Sequence, residues 1–163
     1  MVIAALVILI LGITGLLAGL RQAYLARLRQ FEAKYVDRYW AILDELSLSA
    51  LSLANKEPDD ADEKTIRKYI FLCEDELQMR RLGYISDATY QEWADGIPSQ
   101  FRQPMFAEVW EKVEQEGNAK EPGAFPFKHL DFLLERDDID GGDPNKMILP
   151  ARALRGLAVG RHA

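Results

Sequence analysis

Charge is missing from the first twenty residues. The run Val2–Leu20, VIAALVILILGITGLLAGL, has no ionisable side chain, and Thr14 is its only polar one. That excludes an ordinary surface helix, which needs a polar face. Cysteine is nearly absent too. Cys73 stands alone, so no intrachain disulfide can form, which fits a reducing compartment. Histidine occurs only at 129 and 162, without CxxC, HxxxH or HExxH spacing, so the usual zinc sites are excluded. There is no Gly-rich phosphate loop, GxSxG elbow or dinucleotide fingerprint. No segment alternates apolar and polar residues as a half-buried strand would, and the chain reads as all-α.

What is there begins with the uncharged run. Nineteen residues in a helix span about 28 Å, close to the hydrocarbon thickness of a bilayer. A cleaved signal peptide fits less well, because no Lys or Arg precedes the run and Leu16 is a poor residue for a −3 cleavage position. A buried core helix would keep a polar face. The reading is therefore a single-pass transmembrane anchor over residues 1–20. Arg21, Arg27, Arg29, Lys34 and Arg38 follow it, so the positive-inside bias places the N-terminus outside and the rest in the cytoplasm of a bacterial-type cell, at its inner membrane. Tyr24 falls where a ring would meet the headgroups. Gly12, Gly15 and Gly19 share one face, and Gly15 with Gly19 makes a GxxxG pair of the kind that lets helices approach closely.

Net charge is −6, unevenly spread: +2 over residues 21–56, −12 over 57–143 and +4 over 144–163. So acidic a middle argues against nucleic acid as a partner. Membrane lipid, and a second protein or copy met through the anchor, are the partners expected instead.

Between Arg21 and Leu53 there is neither Pro nor Gly. Leu25, Leu28, Tyr35, Tyr39, Ile42 and Leu46 recur there at alternating spacings of three and four, with Glu32 intervening. This predicts an amphipathic extension over residues 21–54, continuous with the anchor, in a rod of about 75–80 Å. Its apolar stripe is either a partner surface or the face that packs on the chain's own domain.

Pro58 and the acids around it mark a turn. A helical cytoplasmic domain, residues 57–136, follows. Its expected first helix, Glu63–Leu82, has Ile66, Tyr69, Ile70, Cys73 and Leu77 inward and Gly83 as its stop. A short helix capped by Ser86 ends at Gly96 and the Ile97–Pro98 step. Ser99 opens the next, with Pro104 near its start and Gly117 at its end, and Phe127–Arg136 forms the last. Residues 137–163 read as a flexible acidic turn and a basic tail. Trp40, Trp93, Trp110, Tyr84, Tyr90, Phe101 and Phe106 are expected mostly in the core, with any exposed one marking a partner surface.

The run YIFLCEDELQMRRLGYISDATYQEWADGI, Tyr69–Ile97, resembles a pattern in small bacterial proteins of unknown function that pair an N-terminal membrane helix with a helical domain. The likeness lies in paired acids on a helix, a Gly-aromatic turn and a Trp-containing helix ending in Gly-Ile. It implies a fold and a location, and brings no functional residues.

Chemistry has few places to reside. Asp138, Asp140 and Asp143 miss the calcium-loop register, because position 5 is Gly142 and position 12 is Leu149. Glu74, Asp75 and Glu76 read as a solvated face, with Glu76 in reach of Arg80 at i+4. A Cys73–His129 dyad is unfavoured because Cys73 lies on the apolar stripe. The expectation is thus no enzyme, no metal and no cofactor. A non-catalytic accessory, assembly or scaffolding subunit of a membrane complex is favoured. A membrane-tethered sensor or regulatory module with a small ligand between its helices is the alternative. A hydrolase built on the Glu74–Glu76 acids ranks last.

Overall fold

An uninterrupted run without Gly or Pro after Leu20 carries the apolar N-terminal helix straight into the domain. In the computed structural model, which describes residues 2–47, 58–120 and 125–135, that helix is α1, Val2–Leu43. It is followed by α2 (Asp60–Arg81), α3 (Asp87–Phe101), α4 (Pro104–Lys120) and α5 (Lys128–Glu135). No strand occurs among the described residues. The acidic turn and basic tail of 137–163 lie outside them.

Helix α1 is long and apolar enough to cross a membrane, and none of its apolar window is covered by the rest of the chain. At 42 residues it is about 63 Å long. Helix α1 therefore ends at Leu43, before the expected end of the extension at residue 54, of which residues 48–54 lie outside the described ones. No glycine or proline ends it. A turn over residues 44–46 tightens the last carbonyls, with Leu46 N–H bonded to Leu43 O at 3.1 Å. The chain then swings onto α2: buried Asp62 accepts from Ser47 N–H at 2.9 Å and Ser47 Oγ at 2.7 Å. A tertiary bond, invisible in local sequence, ends the rod.

The apolar stripe of α1 packs on the chain's own domain. Leu28, Tyr35 and Leu46 are buried, while Leu25, Tyr39 and Ile42 are half-buried. Half of the residues expected on this stripe are thus covered within the chain itself. Glu32 also has its reason. Its Oε1 accepts the Ser86 N–H at 2.8 Å, just where α3 begins. Tyr24 donates to Gly83 O at 3.0 Å, so its hydroxyl is directed at the domain rather than at headgroups.

Helix α2 is the hub. Asp59 caps it by accepting from Ala61 and Asp62 N–H, so the helix begins at Asp60 rather than at the expected Glu63. Gly83 ends it with φ 82°, a left-handed conformation that favours glycine. Gly83 N–H bonds to Arg80 O and Tyr84 N–H to Met79 O, the paired bonds of a Schellman stop. Ile66, Ile70, Leu72, Cys73 and Leu77 are fully buried, and α1, α4 and α5 all pack against α2. Phe106, Val109 and Leu130 complete the centre, each worth about 1.5–3 kcal/mol on burial. Of the expected core aromatics, Tyr90, Trp110, Phe101 and Phe106 are buried, and Trp93 and Tyr84 half-buried. Trp40 is 58% exposed.

Two helix ends differ from those the sequence predicts. Helix α3 runs through Gly96 and Pro98 to Phe101, because Ile97 and Phe101 anchor its last turn in the core. Pro98 forfeits one backbone bond without ending the helix. The break falls at Arg102–Gln103, so Ser99 lies inside α3 and Pro104 is the first residue of α4. Gly117 lies within α4 rather than at its end. A Cβ there would sit 2.7 Å from the Phe125 ring, so this glycine seats an aromatic side chain. Gly96 has nothing within 4 Å of the corresponding position.

The two helical glycines should respond with opposite signs. Gly117→Ala is expected to cost about 1–3 kcal/mol by overpacking against Phe125. Gly96→Ala should stabilise by about 0.5–1 kcal/mol through helix propensity alone. Thermal and denaturant unfolding of the full chain in detergent checks both.

Candidate functional site

The three adjacent acids of α2 are the centre of the site. Side chains on a helix turn about 100° per residue, so three in a row cannot share one face. They do not form a solvated face: Glu74 and Asp75 are half-buried and Glu76 is 5% exposed.

Glu74 turns toward α5. Its Oε2 accepts from His129 N–H at 3.1 Å and Leu130 N–H at 2.9 Å, and its Oε1 lies 2.6 Å from His129 Nδ1. It therefore caps the N-terminus of α5 from a different helix, where a negative charge is favoured. Arg81 Nη1 lies 3.1 Å from His129 Nε2. Arginine can only donate, so Nε2 accepts and the Nδ1 proton goes to Glu74. His129 is thus held on both ring nitrogens.

Asp75 turns toward α1. Its Oδ2 accepts from Tyr35 OH at 2.9 Å and Arg38 Nη1 at 2.8 Å. Burial and the neighbouring Asp75 carboxylate push the Tyr35 hydroxyl well above the ordinary tyrosine range. The Arg38 guanidinium lies 5.3 Å from the Tyr35 ring centroid.

Glu76 turns inward. It lies on the apolar arc of α2 with Tyr69 and Cys73, and lines a cavity of about 190 Å³ between α1, α2 and α3. The walls include Tyr35 and Tyr39 from α1, Tyr69 from α2 and Trp93 from α3. Tyr35 and Trp93 meet edge to face at 67°, and Tyr39 and Tyr69 are inclined at 56°. Glu92, exposed on α3, also lines it. No hydrogen bond or ion pair reaches the Glu76 carboxyl among the described residues; Arg80, its i+4 neighbour, pairs instead with Asp87 and donates to Ile85 O. Burial, opposed by Arg38 and reinforced by Asp75, raises Glu76 from the ordinary 4.5 to about 8. A buried carboxyl so perturbed in a cleft marks a functional candidate.

The other sequence candidates fall elsewhere. Cys73 is fully buried, and burial pushes its thiol well up. With His129 held by Glu74 and Arg81, the two do not form a nucleophile–base pair. No group of three or more His, Cys, Asp or Glu positioned to hold a metal occurs among the described residues. Gly12, Gly15 and Gly19 are exposed on α1, with nothing within 4 Å of an added Cβ. The sequence reading missed the inward course of Glu76. The signal was present: it follows Tyr69 by seven residues and Cys73 by three, and so belongs to the buried arc.

Two outcomes follow from this geometry. Between pH 4.5 and about 8 the folded state holds a proton on Glu76 that the unfolded chain has lost. Its contribution to stability is therefore present below pH 4.5 and lost as pH rises through 8. Glu76→Gln should remove that dependence and melt higher than the parent at pH 8.5, read by paired thermal unfolding at pH 5 and 8.5. Glu74→Gln should cost about 1.5–3 kcal/mol, since charge-assisted bonds are lost. Faster hydrogen exchange at the amides of 129–135 would accompany it.

The chain matches no family model, no curated protein and no solved structure.

Proposed function

We propose that this protein is a non-catalytic accessory or assembly subunit of a membrane complex, with α1 spanning the bilayer once and the helical domain held beneath it in the cytoplasm. The supporting observation is the contrast along one continuous helix. Every side chain from Val2 to Ala23 is exposed, and from Tyr24 onward the same helix is bonded to the domain. Nineteen uncovered, uncharged and mostly apolar positions carry a large transfer free energy into lipid. The arginines at 21, 27 and 29 and Lys34 orient the anchor with its N-terminus outside. The open face at Gly12, Gly15 and Gly19 admits a second helix at close range.

A second reading, a tethered regulatory module that binds a small ligand, is favoured by the Glu76 cavity. The readings are compatible. Tyr35 and Tyr39 belong both to the anchor helix and to the cavity wall.

The chain is expected to sediment with membranes and resist carbonate extraction. Gentle solubilisation should recover it with a second protein or a second copy of itself. Replacing Gly12, Gly15 and Gly19 together by leucine should abolish that association without moving the melting transition, because those positions touch nothing within the chain. A monomer from both preparations would overturn the accessory reading.

A further inference from the structure

We propose that the cavity between α1, α2 and α3 is a binding site for a small free organic ammonium ion, received by the Glu76 carboxylate and the faces of Tyr35, Tyr39, Tyr69 and Trp93. The inference rests on the ligand-binding reading above and names its ligand class.

Charge decides the class. Among the described residues no Lys, Arg or His lines the cavity, and its two carboxyl side chains are Glu76 and Glu92. Arg38, the nearest cation, is spent on Asp75 and lies against Tyr35. An anionic ligand would meet two carboxyls and four electron-rich aromatic side chains. A hydrated metal ion would need several oxygen ligands, and these walls are mostly carbon. An organic cation suits both features: it is attracted to aromatic faces and tolerates loss of water better than a compact ion.

Glu76 supplies the second observation. It is buried at the cavity wall, and no protein donor occupies it among the described residues. Buried carboxylates are ordinarily paired. A cation in the cavity would complete it. About 190 Å³ corresponds to roughly six waters' share of liquid volume, enough for a trimethylammonium group with a short chain. The source follows from position along α1. Tyr35 lies fifteen residues past Leu20, about 22 Å along the helix, below the headgroup layer of a bilayer spanned by Val2–Leu20. A free ion reaches it more readily than a lipid headgroup.

Proton linkage gives a second readout. The charged and titratable groups around Glu76 are Arg38, Tyr35 and Tyr39 of α1, Glu92 of α3, and Tyr69, Cys73 and Asp75 of α2. The carboxyl is protonated in the empty site near neutral pH, so a quaternary cation must displace that proton. Affinity should rise as pH increases from 6 toward 8.5 and then level off.

The experiment is a calorimetric titration of the full-length protein in a maltoside detergent with choline, tetramethylammonium and the neutral choline isostere 3,3-dimethylbutan-1-ol. Both cations should bind with release of a proton, and the isostere at least tenfold more weakly. Glu76→Gln, with its melting transition intact, should weaken choline at least tenfold and abolish the pH dependence. Trp93→Leu should weaken choline more than the isostere. Equal binding of choline and the isostere would overturn the ammonium assignment and leave the ligand-binding reading standing. Absence of any binding, with Glu76→Gln indistinguishable from the parent, would overturn both. Titration in phosphatidylcholine against phosphatidylglycerol nanodiscs separates the sources. Unchanged choline affinity supports a free ion, and its loss in the phosphatidylcholine discs overturns the free source in favour of a headgroup.

Discussion

Three consecutive carboxyl groups on one helix hold this domain in register. Because a helix turns about 100° per residue, Glu74, Asp75 and Glu76 must face three directions. Glu74 caps α5, Asp75 ties α1 through Tyr35 and Arg38, and Glu76 faces the cavity that α1 and α3 close. A half-buried carboxylate is stable only where donors replace its water. That requirement fixes where α1 and α5 can lie far more narrowly than apolar packing does, since hydrophobic contact is non-directional.

The same rows of contact couple the apolar half of α1 mechanically to the domain. Tyr24, Arg27, Glu32, Tyr35 and Arg38 each bond to the domain, at Gly83, Tyr84, Ser86 and Asp75. Arg27 lies 4.5 Å over the Tyr84 ring, which stacks on Phe31 at 4.7 Å. These bonds recur along about 21 Å of one face, so the domain follows any tilt or rotation of the apolar half. Two of the cavity walls ride on that helix. Any tilt or rotation of the apolar half of α1 and any change in the cavity therefore act on a shared element.

Much of the domain was legible in residue order because helix signals are local. Ser86 as a cap and Gly83 as a left-handed stop each act within a few positions. The inward sets on α2 and α4 follow from spacing. The misplaced boundaries share one cause: a distant contact overrode the local signal. Asp62 captures Ser47 and ends α1 early. Ile97 and Phe101 keep α3 helical through Gly96 and Pro98. Phe125 explains a glycine in mid-helix at 117.

The sequence by itself determined the all-helical class, the long apolar N-terminal helix and the thiol's burial, because periodicity and missing charge are properties of short windows. It could not decide what the acids on α2 do. Their spacing places them on different arcs, but whether an arc meets water, a helix end or an aromatic hollow depends on elements tens of residues away. Only the tertiary structure brought Glu32 to Ser86, Glu74 to His129 and Glu76 to Tyr35, Tyr39 and Trp93, since a carboxyl's role is set by which donors surround it and how much water they exclude.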